Sequence, residues 1–125
     1  MYQRKIKRDI RCPLEYGLSV FGGKWKARII CLLSDGTPKR YSALMKELGN
    51  ITDAVLSARL RELTADGIVC RMAYPEVPPR VEYGLTDHGR SVLPILASIA
   101  HWAGARRRDA EENAVRCEHC DYTTP

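Results

Sequence analysis

Cys12 is the residue whose type and position most clearly suggest chemistry, because it directly precedes Pro13 at the predicted start of a helix. Proline suits the first position of a helix, so the Cys12 thiol is expected beside the positive end of the helix dipole. The cations Arg8 and Arg11 lie just upstream. Both features favour the thiolate, which is the nucleophilic form of cysteine. The alternative is a cysteine at a helix start with no signalling role.

The remaining cysteines predict neither a disulfide scaffold nor a complete metal site. The chain has five cysteines: Cys12, Cys31, Cys70, Cys117 and Cys120. Their odd number argues against a disulfide framework. Cys31 and Cys70 lie in apolar runs and are predicted to be buried in the core. Cys117 and Cys120 have the spacing of half a zinc site, but a structural zinc needs four ligands. No second pair follows, so no metal is predicted unless two tails meet in a dimer.

Charge and hydropathy narrow the class of partner. The formal net charge of +5 favours a polyanionic partner. Residues 1–11 form a basic arm, which is either a solvated tail or a segment that contacts phosphates. No apolar run reaches the length of about 18 residues that a membrane span needs. The N-terminus lacks the apolar segment of a signal peptide, so we expect a cytoplasmic protein with no membrane partner.

The sequence contains no constellation that predicts an enzyme. Gly22-Gly23-Lys24 lacks the spacing of a phosphate-binding loop, and no Ser-His-Asp set or carboxylate pair stands out. The histidines His88, His101 and His119 lie on separate predicted elements. We therefore expect neither catalysis nor a cofactor.

The hydrophobic pattern predicts one mostly α-helical domain with a small β-hairpin, an α+β fold. Helices are expected over roughly 13–21, 24–34, 42–48 and 51–66, each bounded by Gly, Pro or a capping residue. Strands over 68–73 and 81–85 flank a turn that contains three prolines. Thr86 is expected to cap a further helix, and Pro94 to begin or kink the apolar segment after Ser91.

The stretch around helix 51–66 predicts a helix-turn-helix followed by a hairpin wing. Leu56, Leu60 and Leu63 recur at i, i+4 and i+7, so this face is expected in the core, with Thr52 as the N-cap. Gly49-Asn50 supplies the turn between this helix and the preceding one. The opposite face carries small, polar and charged residues: Asp53, Ala54, Ser57, Arg59 and Arg61.

Several short pieces together carry a resemblance to a known family. In chain order they are Cys12-Pro13, Gly22-Gly23-Lys24-Trp25, Arg40 to Leu44, Leu56 to Leu63, Asp66 to Val69, Pro79 to Thr86, Gly89 and Trp102. Over roughly residues 10–105 the chain resembles the HxlR-type branch of the bacterial MarR-like winged-helix transcriptional regulators. The resemblance implies a homodimeric regulator, expected to be a repressor rather than an activator, on a palindromic operator of double-stranded DNA. It places a winged helix-turn-helix domain with flanking dimerisation helices at 12–108, followed by a polar tail at 109–125.

The resemblance also implies which residues contact DNA. They lie on the third helix, the recognition helix and the wing: Arg40, Ser42, Thr52, Asp53, Ala54, Ser57, Arg59, Arg61 and Arg80. Either Arg59 or Arg61 would reach bases or phosphates, and Arg80 would approach the minor groove or its phosphates. Relatives usually carry Gln-Lys or similar where this chain has Asp53-Ala54. Asp53 could cap its own helix or accept from a cytosine amino group.

This departure supports an alternative, a winged-helix protein-interaction module with weak or no specific DNA binding. Because phosphate repels a carboxylate, Asp53 is an unusual residue for the groove-facing end of such a helix. Promoter binding in the presence of a heparin-like competitor would separate the two functions.

Dimerisation and sensing are expected at the two ends of the domain. The terminal segment is apolar over more than one face, which suits a partner helix or, alternatively, burial within its own domain. The expected dimerisation residues are Leu93, Leu96, Ile99 and Trp102. In the family that this chain resembles, the cysteine at the position of Cys12 senses oxidants or small electrophiles. Some relatives pair it with a second cysteine across the dimer, which makes Cys117 and Cys120 the candidate resolving thiols.

Overall fold

The computed structural model describes the backbone of residues 11–110 and the side chains of residues 11–104. Most of the basic arm and the tail with Cys117 and Cys120 therefore lie outside the described residues. The elements within the described range, in chain order, are α1 (Pro13–Phe21), α2 (Lys26–Leu32), β1 (Lys39–Arg40), α3 (Tyr41–Leu48), α4 (Asp53–Ala65), β2 (Val69–Tyr74), β3 (Arg80–Leu85), α5 (Asp87–Arg90) and α6 (Leu93–Ala110).

The helix boundaries follow the signals in the sequence. Pro13 is the first residue of α1, which ends before Gly22. The Thr52 hydroxyl oxygen accepts from the Val55 N–H at 3.2 Å and caps α4, as predicted. Thr86 caps α5 in the same way, accepting from the Gly89 N–H at 2.9 Å. α2 is shorter than expected, because the residues before Lys26 form a bend.

A three-stranded antiparallel sheet with the order β1-β3-β2 carries the wing, which is the β2–β3 hairpin. β2 and β3 pair from Val69↔Leu85 at the root to Tyr74↔Arg80 near the tip. β1 adds two pairs, Lys39↔Tyr83 and Arg40↔Glu82. This strand was not predicted, because two residues are too few to show an alternating pattern. Its pairing joins the segment before α3 to the wing.

The core lies between α2, α3, α4 and the root of the wing. The predicted face of α4 is buried, with Leu56, Leu60 and Leu63 exposed by 0%, 2% and 0%. Leu44 and Leu48 face inward from α3. Side chains from α2 and the root of the wing complete the core: Ile29, Ile30, Leu33, Ile68 and Val69.

Cys31 and Cys70 are half-buried, so the prediction that both are core residues is wrong. Cys31 lines a crevice of about 190 Å³ between α2 and α6. It lies on a flank of α2, outside the face that its buried neighbours form. Cys70 alternates with the buried Val69 along β2, and its thiol lies 3.6 Å from the Gly84 carbonyl oxygen. Both residues follow the periodicity of their element rather than the average hydropathy of their run.

α6 packs only part of its apolar surface on the domain. Leu93 and Leu96 are half-buried against the core. Ile95, Ile99 and Trp102 are 50%, 45% and 65% exposed. No helix among the described residues is both long enough and apolar enough to cross a bilayer.

Two buried glycines provide a matched test of the wing root. A Cβ at Gly89 would lie 2.2 Å from the Ile68 carbonyl oxygen, whereas a Cβ at Gly84 would meet only side-chain atoms at 3.4 Å or more. We therefore expect Gly89→Ala to lower the free energy of unfolding by more than about 2 kcal/mol, since backbone must shift. Gly84→Ala should cost less than about 1 kcal/mol. Urea denaturation measures both, and equal effects would contradict the close approach.

Candidate nucleic-acid interface

The turn between α3 and α4 presents the N-terminus of α4 to solvent. Gly49 follows α3 with a φ of 72°, a conformation that glycine adopts without steric cost. Ile51 is 5% exposed and anchors the turn to the core. Thr52, Asp53 and Ala54 are all exposed. The first turn of α4 is therefore accessible to a partner, with one of its backbone N–H groups already capped by Thr52.

Asp53 is held by Tyr41 at the point where α3 and α4 begin. The Tyr41 hydroxyl donates a short hydrogen bond to Asp53 Oδ1 and lies 3.0 Å from the Asp53 carbonyl oxygen. Thr52 is the N-cap, so Asp53 does not need to cap the helix. Its carboxylate instead joins the start of α4 to the start of α3. Sequence reasoning missed this role of Tyr41, because twelve residues separate the partners.

The same interaction shifts the acidity of Tyr41. Desolvation by burial, together with the hydrogen bond to Asp53 and its negative charge, raises the pKa of Tyr41 from 10.0 to about 12. Each of these causes disfavours the phenolate. Tyr41 therefore remains a hydrogen-bond donor throughout the physiological pH range.

A cleft of about 480 Å³ separates α4 from the wing. Its lining comes from both elements: Ser57, Leu60, Arg61, Thr64, Ala65, Arg71 and Tyr83. Arg61 Nη1 donates to Ser57 Oγ at 2.8 Å, which holds the guanidinium along the helix. Arg71 faces the cleft from β2, and both arginines are exposed. Within residues 11–104 neither forms an ion pair, so their charges are available to an anion.

Arg71 was not predicted as a site residue, although the sequence contains a signal for it. Residues in a strand alternate between two faces, so Arg71 points away from the face of Cys70 and Met72. The alternation places Arg71 on the face of Val69, which is buried at the root of the wing, and the charge of Arg71 predicts that this face becomes exposed towards the tip. It does not show that the exposed face of the wing borders α4, which depends on how the hairpin packs.

The structure separates Arg59 from Arg61, the alternatives for contacting bases or phosphates. Arg59 forms an ion pair with Glu62, one turn further along α4, and does not line the cleft. Arg61 lines it. Arg40 and Ser42, at the junction of β1 and α3, are exposed.

Arg80 is engaged within the wing. Its guanidinium lies 4.0 Å from the centre of the Tyr74 ring, and Nη2 is 3.1 Å from Glu76 Oε1. Arg80 Nε is buried and has no hydrogen-bond partner among the described residues. Val77, at the tip of the hairpin, is fully exposed. Through these contacts with Tyr74 and Glu76, Arg80 stabilises the hairpin close to its exposed tip.

Cys12 lies at the start of α1, as predicted. Its sulfur accepts from the Glu15 N–H at 3.5 Å and thereby serves as the N-cap. The residue is half-buried, so the thiol is partly accessible. Arg11 is exposed beside it, whereas Arg8 lies outside the described residues.

The expected dimerisation residues divide into two groups. Leu93 and Leu96 turn towards the core, whereas Ile99 and Trp102 lie on the exposed side of α6. α1 adds exposed apolar side chains that were not predicted: Leu14 at 70% and Leu18 at 49%.

Among the described residues no group of three His, Cys, Asp or Glu side chains could hold a metal ion.

An exposed helix N-terminus beside a cationic cleft and a hairpin defines a winged helix-turn-helix, the fold of solved MarR-family transcriptional regulators. The family model of the HxlR-like helix-turn-helix matches residues 20–111. The chain belongs to this family, whose members are DNA-binding regulators and not enzymes.

Relatives and solved structures agree with this assignment. An uncharacterised HTH-type transcriptional regulator of Halalkalibacterium halodurans is 48% identical over 101 residues, covering 81% of this chain and 89% of that protein. The redox regulator HypR in its reduced form has a TM-score of 0.74 at 42% identity, covering 82% of this chain and 100% of HypR. A transcriptional regulator of the MarR family from Enterococcus faecalis has a TM-score of 0.71 at 35% identity. The match covers 88% of this chain and 99% of that protein.

Tyr41→Phe tests the contact between α3 and α4. Because the folded-state pKa is raised, the Tyr41 contribution to stability is present below pH 10 and is lost as pH rises towards 12. The stability difference between wild type and Tyr41→Phe should therefore shrink across this window. Denaturation at several pH values measures the difference, and ultraviolet titration of the phenol gives the pKa directly. A difference that stays constant from pH 9 to about pH 12 would contradict the hydrogen bond.

Proposed function

We propose that the protein is a cytoplasmic homodimeric repressor that binds a palindromic operator in double-stranded DNA and is switched by oxidation or electrophile modification of Cys12. The observation that carries the DNA-binding part is the cleft between α4 and the wing, with Arg61 on one wall and Arg71 on the other. Two guanidinium groups that face one opening, and that form no ion pair with the described residues, suit the phosphate backbone.

The exposed face of α4 is proposed to enter the major groove. An α-helix fits this groove, and residues near its N-terminus reach the base edges. Thr52, Ala54 and Ser57 supply two hydroxyls and a methyl on that face, which suit hydrogen bonding and contact with a thymine methyl. Asp53 already accepts from Tyr41, which lessens its conflict with phosphate and leaves its second oxygen for a cytosine amino group.

The flanking elements are proposed to hold the DNA backbone. Arg61 and Arg71 would contact phosphates across the cleft, and Arg40 with Ser42 would contact them beside α3. Arg59 is assigned a supporting role, since its guanidinium is engaged by Glu62. The wing tip would approach the minor groove with Val77 outermost and Arg80 behind it.

A homodimer would join two such surfaces. Ile99 and Trp102 on α6, and Leu14 and Leu18 on α1, are apolar side chains that are exposed in the described part of the chain, and we assign them to the dimer surface. A two-fold dimer places its recognition helices about one DNA turn apart, which matches a palindromic site. Leu93 and Leu96 would support this surface from the core side.

Control through Cys12 is supported by its position and by a relative. The thiol is partly accessible at the start of α1, which carries part of the proposed dimer surface. The redox regulator HypR has also been solved in its oxidised form. That structure has a TM-score of 0.70 at 39% sequence identity to this chain. A change at Cys12 would therefore act where the two protomers and the DNA-binding domain are connected.

The salt dependence of operator binding tests the cleft. Each lost phosphate contact lowers the slope of log K against log salt by about one per protomer, or about two for a dimer. We expect this change for Arg61→Ala and for Arg71→Ala, measured by fluorescence anisotropy on a site obtained by in-vitro selection. Arg90→Ala is the control, because Arg90 pairs with Asp87 away from the cleft. Unchanged slopes in both cleft variants would remove the cleft from the interface.

Cys12→Ser tests the switch. Mild oxidation should weaken operator binding by wild type by about fivefold or more, a normal size for an allosteric coupling, and should leave Cys12→Ser unaffected. A non-reducing gel of the same samples, with Cys117→Ser and Cys120→Ser beside them, identifies any resolving thiol. Normal DNA release by oxidised Cys12→Ser would exclude the switch.

The second candidate function is a protein-interaction module, which Asp53-Ala54 supports. In-vitro selection with reduced and oxidised protein in parallel separates the two. Enrichment of a palindrome by the reduced protein supports the regulator, whereas failure to enrich any sequence supports the module.

A further inference from the structure

Two buried charges meet where α1, α2 and α4 pack together. Lys26 and Glu62 are 5% and 8% exposed, and Lys26 Nζ lies 3.2 Å from Glu62 Oε2. Among residues 11–104 no other charged side chain is buried to this extent. Arg59 pairs with the other carboxylate oxygen of Glu62 from the solvent side. Glu62 therefore has a cation on each oxygen, and one of these cations belongs to α2.

Lys26 also reaches a third helix. Its Nζ donates to the carbonyl oxygen of Ser19 at 3.1 Å, in the last turn of α1. A cation at this end of a helix is favoured by the helix dipole, and the carbonyl groups there lack helical partners. The single ammonium group of Lys26 thus holds the end of α1 on one side and the side of α4 on the other.

The chemistry of the pair suits positioning better than stabilisation. Burying an ion pair costs desolvation that its attraction barely offsets, and apolar side chains of similar size would often stabilise the fold more. Hydrogen bonds and ion pairs are directional, however, and they are stronger in the low dielectric of the interior. An apolar contact would tolerate sliding of α4 past α1. The link through Lys26 and Glu62 fixes their relative position.

We propose that Lys26 and Glu62 are positioning residues that fix the recognition helix α4 to α1, so that a change at Cys12 is transmitted to α4. Cys12 caps one end of α1, and Lys26 binds the other end. A displacement of α1 therefore moves the Lys26 ammonium group, which is paired with Glu62. This inference rests on the proposed function, in which α4 binds DNA and Cys12 is the control point.

The first test is the double variant Lys26→Met/Glu62→Gln. Replacing both charges keeps the net charge and avoids the unpaired buried charge that a single replacement leaves. The control is Arg90→Met/Asp87→Asn, which removes an exposed ion pair with the same balance of charge. The ratio of affinities for the selected operator and a scrambled duplex should fall by about tenfold in the double variant, and not in the control.

The ratio distinguishes positioning from a merely structural role. Destabilisation without misplacement would lower the melting temperature and leave the ratio unchanged. Release of Arg59 from Glu62 would raise the affinity for both duplexes alike. A folded double variant with the wild-type ratio overturns the proposal. The single variant Lys26→Arg, which keeps the charge and the donors beside an intact Glu62, should have most of the wild-type ratio.

The second test uses the wild-type protein and needs no variant of the pair to fold. Amide hydrogen exchange is measured before and after treatment with N-ethylmaleimide, with Cys12→Ser treated identically to subtract the other thiols. Loss of protection in both 13–21 and 53–65 is expected. A change confined to 13–21, in a protein whose operator affinity has fallen, overturns the link. A wild-type protein that selects no operator overturns the proposed function instead, so the two failures are distinguishable.

Discussion

The burial of Leu56, Leu60 and Leu63 fixes the rotation of α4 about its own axis, and the rest of the interface depends on that rotation. Each fully buried leucine contributes about 1.5–3 kcal/mol, so turning α4 to expose this face would cost a large part of the stability of a small domain. With these three residues inward, Ser57 and Arg61 lie on the flank of α4 that borders the cleft. The cationic cleft therefore borders the buried face of the same helix, and Leu60 belongs to both.

Rotation alone does not fix where α4 lies along its neighbours, and polar contacts do this at two places. Tyr41 holds Asp53 at the first turn, and Lys26 holds Glu62 near the last. Both contacts are directional and partly or fully removed from water, so small displacements of the helix would weaken them. The contact with Tyr41 also occupies one oxygen of Asp53, the acidic residue at the exposed end of α4.

Much of the fold could be predicted because its signals are local. Pro13, Thr52 and Thr86 mark helix starts through their own backbone and side-chain chemistry, and the leucine spacing of α4 defines its inner face. β1 could not be predicted, since two residues show no period. The half-burial of Cys31 and Cys70 also escaped prediction, because the hydropathy of a run does not say which of its residues point outwards. The sequence indicated which residue types could contact DNA. It could not show that Arg59 pairs with Glu62 while Arg61 lines the cleft.

The sequence by itself determined the order of elements, the inner face of α4, the winged helix-turn-helix class and the placement of Cys12 at a helix start. Each depends on residues close together in the chain, whose conformational preferences act without help from the rest of the fold. Tertiary structure alone decided that Tyr41 meets Asp53, that Arg71 faces Arg61, and that Lys26 joins Ser19 to Glu62. These contacts join separate elements, and only the packing of the whole core brings their partners within hydrogen-bonding distance.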